Sequence, residues 1–182
     1  MIPVLFTMTK RVVLSLIVLG VFGSLWSDAP QAPFSIAVVP TQSFGDRGII
    51  AMSHKSPRDF YVVLTNVSRE PQVVWEYWNS WGYKTISFEL ATADGKRFLV
   101  SRGPEDFDKN YPSTFAIEPG EHQVYAIHLD NQWVTVPRLP KADEMPITLK
   151  AVYQVTPTRE ATEHRVWTGR VESHSYNLTL RQ

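Results

Sequence analysis

Apolar and polar residues alternate along most of the chain after residue 29, and this period of two residues predicts β-strands rather than helices. In chain order, the predicted strands are Phe34–Val39, Phe60–Thr65, Val73–Tyr77, Ile86–Leu90, Lys96–Ser101, Thr114–Glu118, Gln123–Leu129, Ile147–Tyr153 and Val166–Leu180. A kink or bulge is expected in the last strand, near residues 173–175. Since helical periodicity with caps is missing from this region, the pattern predicts about seven to nine short strands and little helix.

The residues between the predicted strands contain clear turn signals. Asp94-Gly95 is typical of a type I′ turn, which predicts an antiparallel hairpin between the strands on either side. Pro119-Gly120 fits the two central positions of a type II turn. The turn formers of residues 66–71 are expected to join their flanking strands in a hairpin-like unit. Short strands at this spacing predict an all-β fold, an immunoglobulin-like antiparallel β-sandwich, with a β-barrel as the alternative.

The first residues of the chain have the pattern of a targeting segment. Lys10 and Arg11 precede the apolar run 12–26, as in a secretory signal, and Ser27-Asp28-Ala29 offers a small-residue cleavage site. An uncleaved N-terminal membrane anchor and a buried core helix are the alternatives. Residues 1–29 are therefore predicted to be a signal peptide or anchor helix, and residues 30–182 a single exported domain that is periplasmic, cell-surface or secreted.

Charge and cysteine content narrow the classes of function. The 182-residue chain has 18 basic and 18 acidic residues, so its formal net charge is zero and no basic field favours nucleic acid. It contains no cysteine, which excludes disulfides, thiolate metal sites and a cysteine nucleophile. An exported domain without disulfides must therefore be stabilised by its hydrophobic core.

The aromatic segment 75–83 is the most conspicuous candidate binding site, and its five candidate residues are Trp75, Tyr77, Trp78, Trp81 and Tyr83. Tryptophan and tyrosine offer large rigid contact areas with a polar group, which suits a sugar or a protein partner. On the predicted strand, Trp75 and Tyr77 share one face and Trp78 lies on the other. A core role is favoured for Trp75, whereas core and surface roles stay open for Trp78 and Trp81.

Metal and catalytic motifs give weaker signals. Residues 106–110 place oxygen ligands at the first, third and fifth positions of a calcium loop, but Tyr111 and Ile117 stand where that loop needs Gly and Glu. His122 and His128 would lie about 20 Å apart on a strand, too far for one metal ion. No motif of a hydrolase or nucleotide-binding enzyme is found. The sequence therefore predicts no metal, no cofactor and no catalytic residues.

Two short sequences match the acceptor pattern for N-linked glycosylation. They are Asn66-Val-Ser68 and Asn177-Leu-Thr179. The pattern is short and matters only in a eukaryotic host.

Four segments resemble those of small exported bacterial proteins that have an immunoglobulin-like β-sandwich and no assigned activity. The segments are Leu64–Pro71, Asn79–Gly82, Glu118–Glu121 and Val166–Ser173. They consist of turns and core positions, so the resemblance implies fold and location and carries no catalytic residue.

Three hypotheses for function follow. The leading one is a non-enzymatic exported module that binds an unknown protein or glycan at the cell envelope through segment 75–83 and the loop Arg102–Pro112. The second is a secreted hydrolase or inhibitor-like domain that acts on envelope polymers through the acidic loop and His122 or His128. The third is a purely structural envelope component.

Overall fold

The computed structural model describes residues 32–44, 47–51 and 60–181, which form a mainly β structure. The predicted signal or anchor segment, residues 1–29, lies outside the described residues. Neither of the helices in the described ranges has the length and apolar character needed to cross a membrane.

The described residues contain thirteen strands and two short helices. The strands are β1 Phe34–Pro40, β2 Gln42–Phe44, β3 Arg47–Ala51, β4 Phe60–Asn66, β5 Gln72–Trp75, β6 Ile86–Thr92, β7 Arg97–Arg102, β8 Thr114–Ile117, β9 His122–Ile127, β10 Trp133–Val136, β11 Glu144–Val155, β12 Gly169–Glu172 and β13 Tyr176–Arg181. The helices are α1 Ser80–Tyr83 and α2 Arg159–Glu163.

The largest sheet has the strand order β10-β7-β6-β11-β13-β3-β2, and β12 also pairs with β11. Strand β11 is its centre, because residues 147–153 pair with β6 on one side while β13 and β12 pair in succession along the other. These pairings are antiparallel, whereas β13 and β3 run parallel. The other sheets are β1-β4-β9 and the two-stranded β5-β8.

Aromatic side chains fill the space between the three-stranded sheet and the large sheet. The ring centroids of Phe60 in β4 and Phe88 in β6 are 5.3 Å apart, and those of Tyr125 in β9 and Tyr153 in β11 are 6.5 Å apart. Phe34 in β1 reaches Tyr153 at 6.2 Å. All five side chains are buried. The alternation of apolar residues therefore points one face of each sheet into a shared core, which gives a sandwich-like arrangement and confirms the predicted all-β class.

Local predictions from the alternation pattern are confirmed where strand and turn are close in sequence. Strands β6 and β7 form the predicted hairpin, and Glu118 to Glu121 form the predicted turn, with Gly120 at a φ of 80° and a 2.9 Å bond from the Glu121 N–H to the Glu118 carbonyl. The alternating residues of β11 from Ile147 to Tyr153 are buried. The final predicted strand is divided at residues 173–175 into β12 and β13.

Other predictions are wrong. The hairpin over residues 94–95 is not type I′, because Gly95 alone of the two has a positive φ. The Gly95 N–H bonds to the Thr92 carbonyl at 2.9 Å, so three residues form the loop and only one needs that conformation. The hairpin-like unit around residues 66–71 does not form, since β4 pairs with β1 and β9 while β5 pairs with β8. The strand count exceeds nine because β2, β3 and β10 are short additions and because the final predicted strand is divided into β12 and β13.

The hydrogen bonds of Asn66 explain why the chain leaves the three-stranded sheet β1-β4-β9 after β4. This fully buried side chain donates from Nδ2 to the carbonyl oxygens of Glu70 and Ile117, both at 2.8 Å. Its Oδ1 accepts from the N–H of Ser68 at 2.9 Å. The Asn66 side chain thus ties the turn after β4 to the end of β8, which places β5 beside β8 instead of β4.

Candidate functional site

The aromatic segment leaves the sheet directly after Trp75, where β5 ends. Asn79 then caps α1, because its Oδ1 accepts from the N–H of Gly82 at 2.9 Å while its Nδ2 donates to the carbonyl of Ser113 at 2.9 Å. A Cβ at Gly82 would lie 2.1 Å from the carbonyl oxygen of Glu76, so this close approach requires glycine. Residues 76–84 are therefore fixed against the loop before β8.

Trp75 and Trp81 pack into the core. Trp75 is only 2% exposed, and its ring centroid lies 5.7 Å from that of Trp81 and 5.5 Å from that of His164. Trp81 is half-buried and packs against the core cluster. Trp75 is thus unavailable to a ligand. The predicted pairing of Trp75 and Tyr77 on one strand face is wrong, because Tyr77 lies beyond the end of β5.

The other three aromatic candidates meet in one open cleft of about 330 Å³, which we call the Arg102 cleft. Its aromatic lining is Tyr77, Trp78, Tyr83 and Phe107, and its polar lining is Arg102, Glu105, Asp106 and Gln132. The segment that looked continuous in sequence is therefore divided between a core part and a cleft part.

Trp78 is the exposed aromatic residue of the cleft, with 44% of its surface accessible. Its ring centroid lies 5.0 Å from that of Tyr111, in an edge-to-face arrangement. Its Nε1 donates to the carboxylate of Glu76, which also accepts from the Ser113 hydroxyl at 3.0 Å. The indole is thus held in place at the surface by an aromatic contact and a hydrogen bond.

Arg102, at the end of β7, has its guanidinium among aromatic rings. The guanidinium carbon lies 4.5 Å from the ring centroid of Trp133, 5.0 Å from that of Tyr83 and 5.6 Å from that of Tyr77. These are cation–π distances. Its Nε donates to the Tyr77 hydroxyl at 3.2 Å, and its Nη1 donates to the Gln132 Oε1 at 2.6 Å. The guanidinium is therefore fixed in orientation on the wall of the cleft.

A hydrogen-bond network connects the polar residues of the wall. The Gln132 amide accepts from Arg102 and donates from Nε2 to the Glu105 carboxylate at 3.2 Å. The Tyr83 hydroxyl donates to the same carboxylate oxygen at 3.4 Å. Gln132 is hydrogen-bonded to both Arg102 and Glu105, so a cation, an amide and a carboxylate lie next to one another on the cleft wall.

The two tyrosines of the cleft are neutral hydrogen-bonding groups at physiological pH. Removal from water raises the pKa of Tyr77, and the neighbouring Arg102 guanidinium opposes that effect. The pKa of Tyr83 is raised for the same reason and is also opposed by Arg102. The charged residues of the cleft lining are therefore Arg102, Glu105 and Asp106, and the nearby Asp130 carboxylate also contributes to the raised pKa of Tyr77.

Behind the cleft, three polar atoms are buried without a hydrogen-bond partner in the described part of the chain. They are the hydroxyls of Tyr125 and Tyr153 and the Nε1 of Trp133. The Tyr77 ring lies 5.3 Å from the Tyr125 ring, so this group adjoins the cleft lining. Burial raises the pKa of Tyr125 and of Tyr153, hence both phenols keep their protons and neither serves as a base.

A larger depression of about 550 Å³ lies on the outer face of the large sheet and offers less chemistry. Two of its three charged residues, Glu89 and Lys150, already have partners, at 2.6 Å from Arg170 and 3.1 Å from Glu172, and the third, Arg97, is exposed. Charges that are held in ion pairs with neighbouring residues do not converge on a ligand. We therefore take the Arg102 cleft as the candidate site.

Metal binding finds no support in the ranges that the structure describes, where no group of three or more His, Asp or Glu residues is close enough to hold an ion. In the acidic loop, the side chain of Asn110 is hydrogen-bonded to Ser80 of α1. Its Oδ1 accepts from the N–H of Ser80 at 3.0 Å, and its Nδ2 donates to the Ser80 hydroxyl at 2.7 Å. The side chain of Asn110 therefore connects this loop to α1.

Sequence reasoning found most of the cleft but missed Gln132, Trp133 and Tyr125. Arg102 was included only as the first residue of the loop 102–112. Trp133 lies in β10, a four-residue strand that is too short to show alternation. The sequence signal that could have identified this side of the cleft is Trp133 next to the polar Gln132.

Comparisons of the chain with known protein families, with curated proteins and with solved structures found no match. The role of each residue is therefore inferred from the geometry of the cleft.

Proposed function

We propose that this protein is an exported, non-enzymatic binding module with an immunoglobulin-like sandwich, and that its Arg102 cleft binds a glycan at the cell envelope. The export signal pattern at residues 10–29 supports the location. The absence of cysteine and of net charge agrees with a domain that relies on a core and has no affinity for nucleic acid.

The observation that carries the proposal is the combination of aromatic and polar groups in one open cleft. Trp78 is 44% exposed, and Arg102, Glu105 and Gln132 present a cation, an acceptor and an amide beside it. Sugars have apolar C–H faces that pack on aromatic rings and hydroxyls that need such polar partners. The volume of about 330 Å³ falls in the range of roughly 300–1,000 Å³ that is typical of ligand sites.

Binding is favoured over hydrolysis by the placement of the carboxylates. A glycoside hydrolase needs two carboxyl groups that flank the scissile bond. In the cleft, Glu105 and Asp106 are consecutive residues of one loop, and Glu105 is engaged with Gln132 and Tyr83. This arrangement suits recognition of sugar hydroxyls.

The test is calorimetric titration of the full-length chain with a panel of envelope oligosaccharides, using wild type, Trp78→Ala and Tyr61→Ala. Tyr61 is a matched control because it is an exposed aromatic residue, 38% accessible, on β4. Trp78→Ala should weaken binding about three- to tenfold, and Tyr61→Ala should leave it unchanged.

Two results would contradict the proposal. Equal loss of affinity in both variants, or no glycan binding by wild type, would remove the cleft as a glycan site. Release of new reducing ends during the titration would support the hydrolase alternative instead.

A further inference from the structure

Arg102 is a half-buried arginine whose guanidinium lacks a carboxylate partner among the residues described. On the surface of the large sheet, by contrast, Arg170 and Arg181 each pair with a glutamate at 2.6 Å. Glu105 lines the same cleft but bonds to Gln132. A partly buried cation is normally paired with a carboxylate, whereas in the described part of the chain the guanidinium of Arg102 contacts only neutral side chains and keeps its capacity to pair with one.

Within the described ranges, the hydrogen-bond partners of Arg102 are all neutral groups. Nε donates to the Tyr77 hydroxyl and Nη1 donates to the Gln132 amide, and the Tyr83 hydroxyl is also close enough to accept a hydrogen bond from Arg102. Three rings at 4.5–5.6 Å fix the plane of the guanidinium. A planar guanidinium held in this way suits the carboxylate of a ligand, to which arginine donates in a fixed fork geometry.

The acidic residues of the cleft do not prevent an acidic ligand from binding. Glu105 and Asp106 are exposed, so water and salt screen their repulsion, while Arg102 is half-buried and its attraction is screened less. Their oxygens are acceptors for the hydroxyl groups of a sugar. The cleft thus offers one site for an anion and several for hydroxyls.

We propose that the ligand of the Arg102 cleft is an acidic saccharide, whose sugar carboxylate binds the guanidinium of Arg102 while its ring packs against Trp78. This inference rests on the proposed function, since it specifies the chemical class of the glycan that the cleft binds.

The experiment compares a trimer of galacturonic acid with its methyl ester, which keeps the sugar rings and removes the charge. Titration calorimetry of the full-length chain should give an affinity at least about tenfold higher for the acid than for the ester. This preference should fall in part as salt is added, because a half-buried ion pair at an open cleft is screened, although less than an exposed one.

Three variants locate the preference. Arg102→Gln and Arg102→Lys should reduce the ratio of acid to ester affinity to near one, the lysine variant because it lacks the fork geometry. Arg97→Gln is the matched control, since Arg97 is an exposed arginine of the same strand that lies outside the cleft, and it should keep the wild-type ratio. If the Arg102 variants do not fold, the side-chain N–H resonance of Arg102 in wild type supplies the readout and should shift with the acid only.

The outcomes separate the two proposals. Equal binding of acid and ester would overturn the inference and leave the glycan site standing. Binding of neither, together with no binding of any neutral glycan, would overturn both. Retention of the preference in Arg102→Lys, or binding of a glutamate-rich peptide in place of the trimer, would overturn the assignment to an acidic saccharide held by this guanidinium.

Discussion

Replacement of Asn79 by alanine tests whether buried hydrogen bonds hold the aromatic segment in place. Asn79 is fully buried and makes three side-chain bonds, to the Gly82 N–H at 2.9 Å, to the Ser113 carbonyl at 2.9 Å and to the Ser113 hydroxyl at 3.2 Å. Loss of a helix cap costs about 1 kcal/mol. Each buried polar group left without a partner costs about 1–3 kcal/mol. We expect Asn79→Ala to lower the free energy of unfolding by about 2–4 kcal/mol.

The assay is urea unfolding of the full-length chain, followed by far-UV circular dichroism. With an m-value of about 2 kcal/mol/M, the unfolding midpoint should fall by roughly 1–2 M while the slope stays unchanged. Asn79→Ser should recover about 1 kcal/mol, because serine still caps α1 but does not reach Ser113 in the same way.

Asn110→Ala is the matched control. Asn110 lies in the same contact and also bonds to α1, through Ser80, but it is exposed. Water replaces its lost bonds, so the cost should stay below about 1 kcal/mol. A cost for Asn79→Ala no larger than that for Asn110→Ala would refute the reasoning that burial makes these bonds important.

Three further predictions follow from the exposure, burial and close contacts of particular side chains. Trp78→Phe should remove more iodide-quenchable fluorescence than Trp81→Phe, because Trp78 is exposed while Trp81 packs against the core; equal losses would contradict the assignment of Trp78 to the surface. Alkaline titration by ultraviolet absorbance should show Tyr125 and Tyr153 ionising only as the protein unfolds, since burial raises the pKa of both. The stability that these two neutral phenols contribute is present below about pH 10 and is lost as the pH rises further. A free energy of unfolding that does not change above about pH 10 would therefore argue against it. Gly82→Ala should destabilise the fold by more than about 2 kcal/mol in thermal unfolding, because the new Cβ would meet a backbone carbonyl at 2.1 Å; a neutral effect would mean that the turn can shift.

The part of the fold that local sequence determines was predictable, and the pairing of distant strands was not. The Ile86–Thr92 strand and its hairpin partner were found because alternation and a turn signal lie within one short stretch. The pairing of β5 with β8 and the parallel pairing of β13 with β3 join residues far apart in sequence. Such pairings depend on how whole sheets bury their faces, which no local pattern encodes.

The same limit applies to the site. The aromatic segment was recognised from composition, but its division into core and cleft depends on where β5 ends and on the capped turn at Asn79. The guanidinium of Arg102 is surrounded by Tyr77 and Tyr83 of the aromatic segment and by Trp133 of β10, which come from two distant parts of the chain. Sequence spacing identifies which side chains are present, whereas the tertiary fold decides which of them share a surface.

The buried side chain of Asn66 has a consequence for producing the protein. Its Nδ2 is the atom that would carry a glycan in the Asn66-Val-Ser68 sequence, and in the fold this nitrogen already donates to Glu70 and Ile117. A sugar attached to this nitrogen during synthesis would prevent the hydrogen bonds from Asn66 that connect β4 to the end of β8. In the folded chain, Asn66 is buried and the modifying enzyme cannot reach it. Asn177, in the second acceptor sequence, is exposed on β13. In a glycosylating host, modification at Asn66 would therefore compete directly with folding, and modification at Asn177 would not.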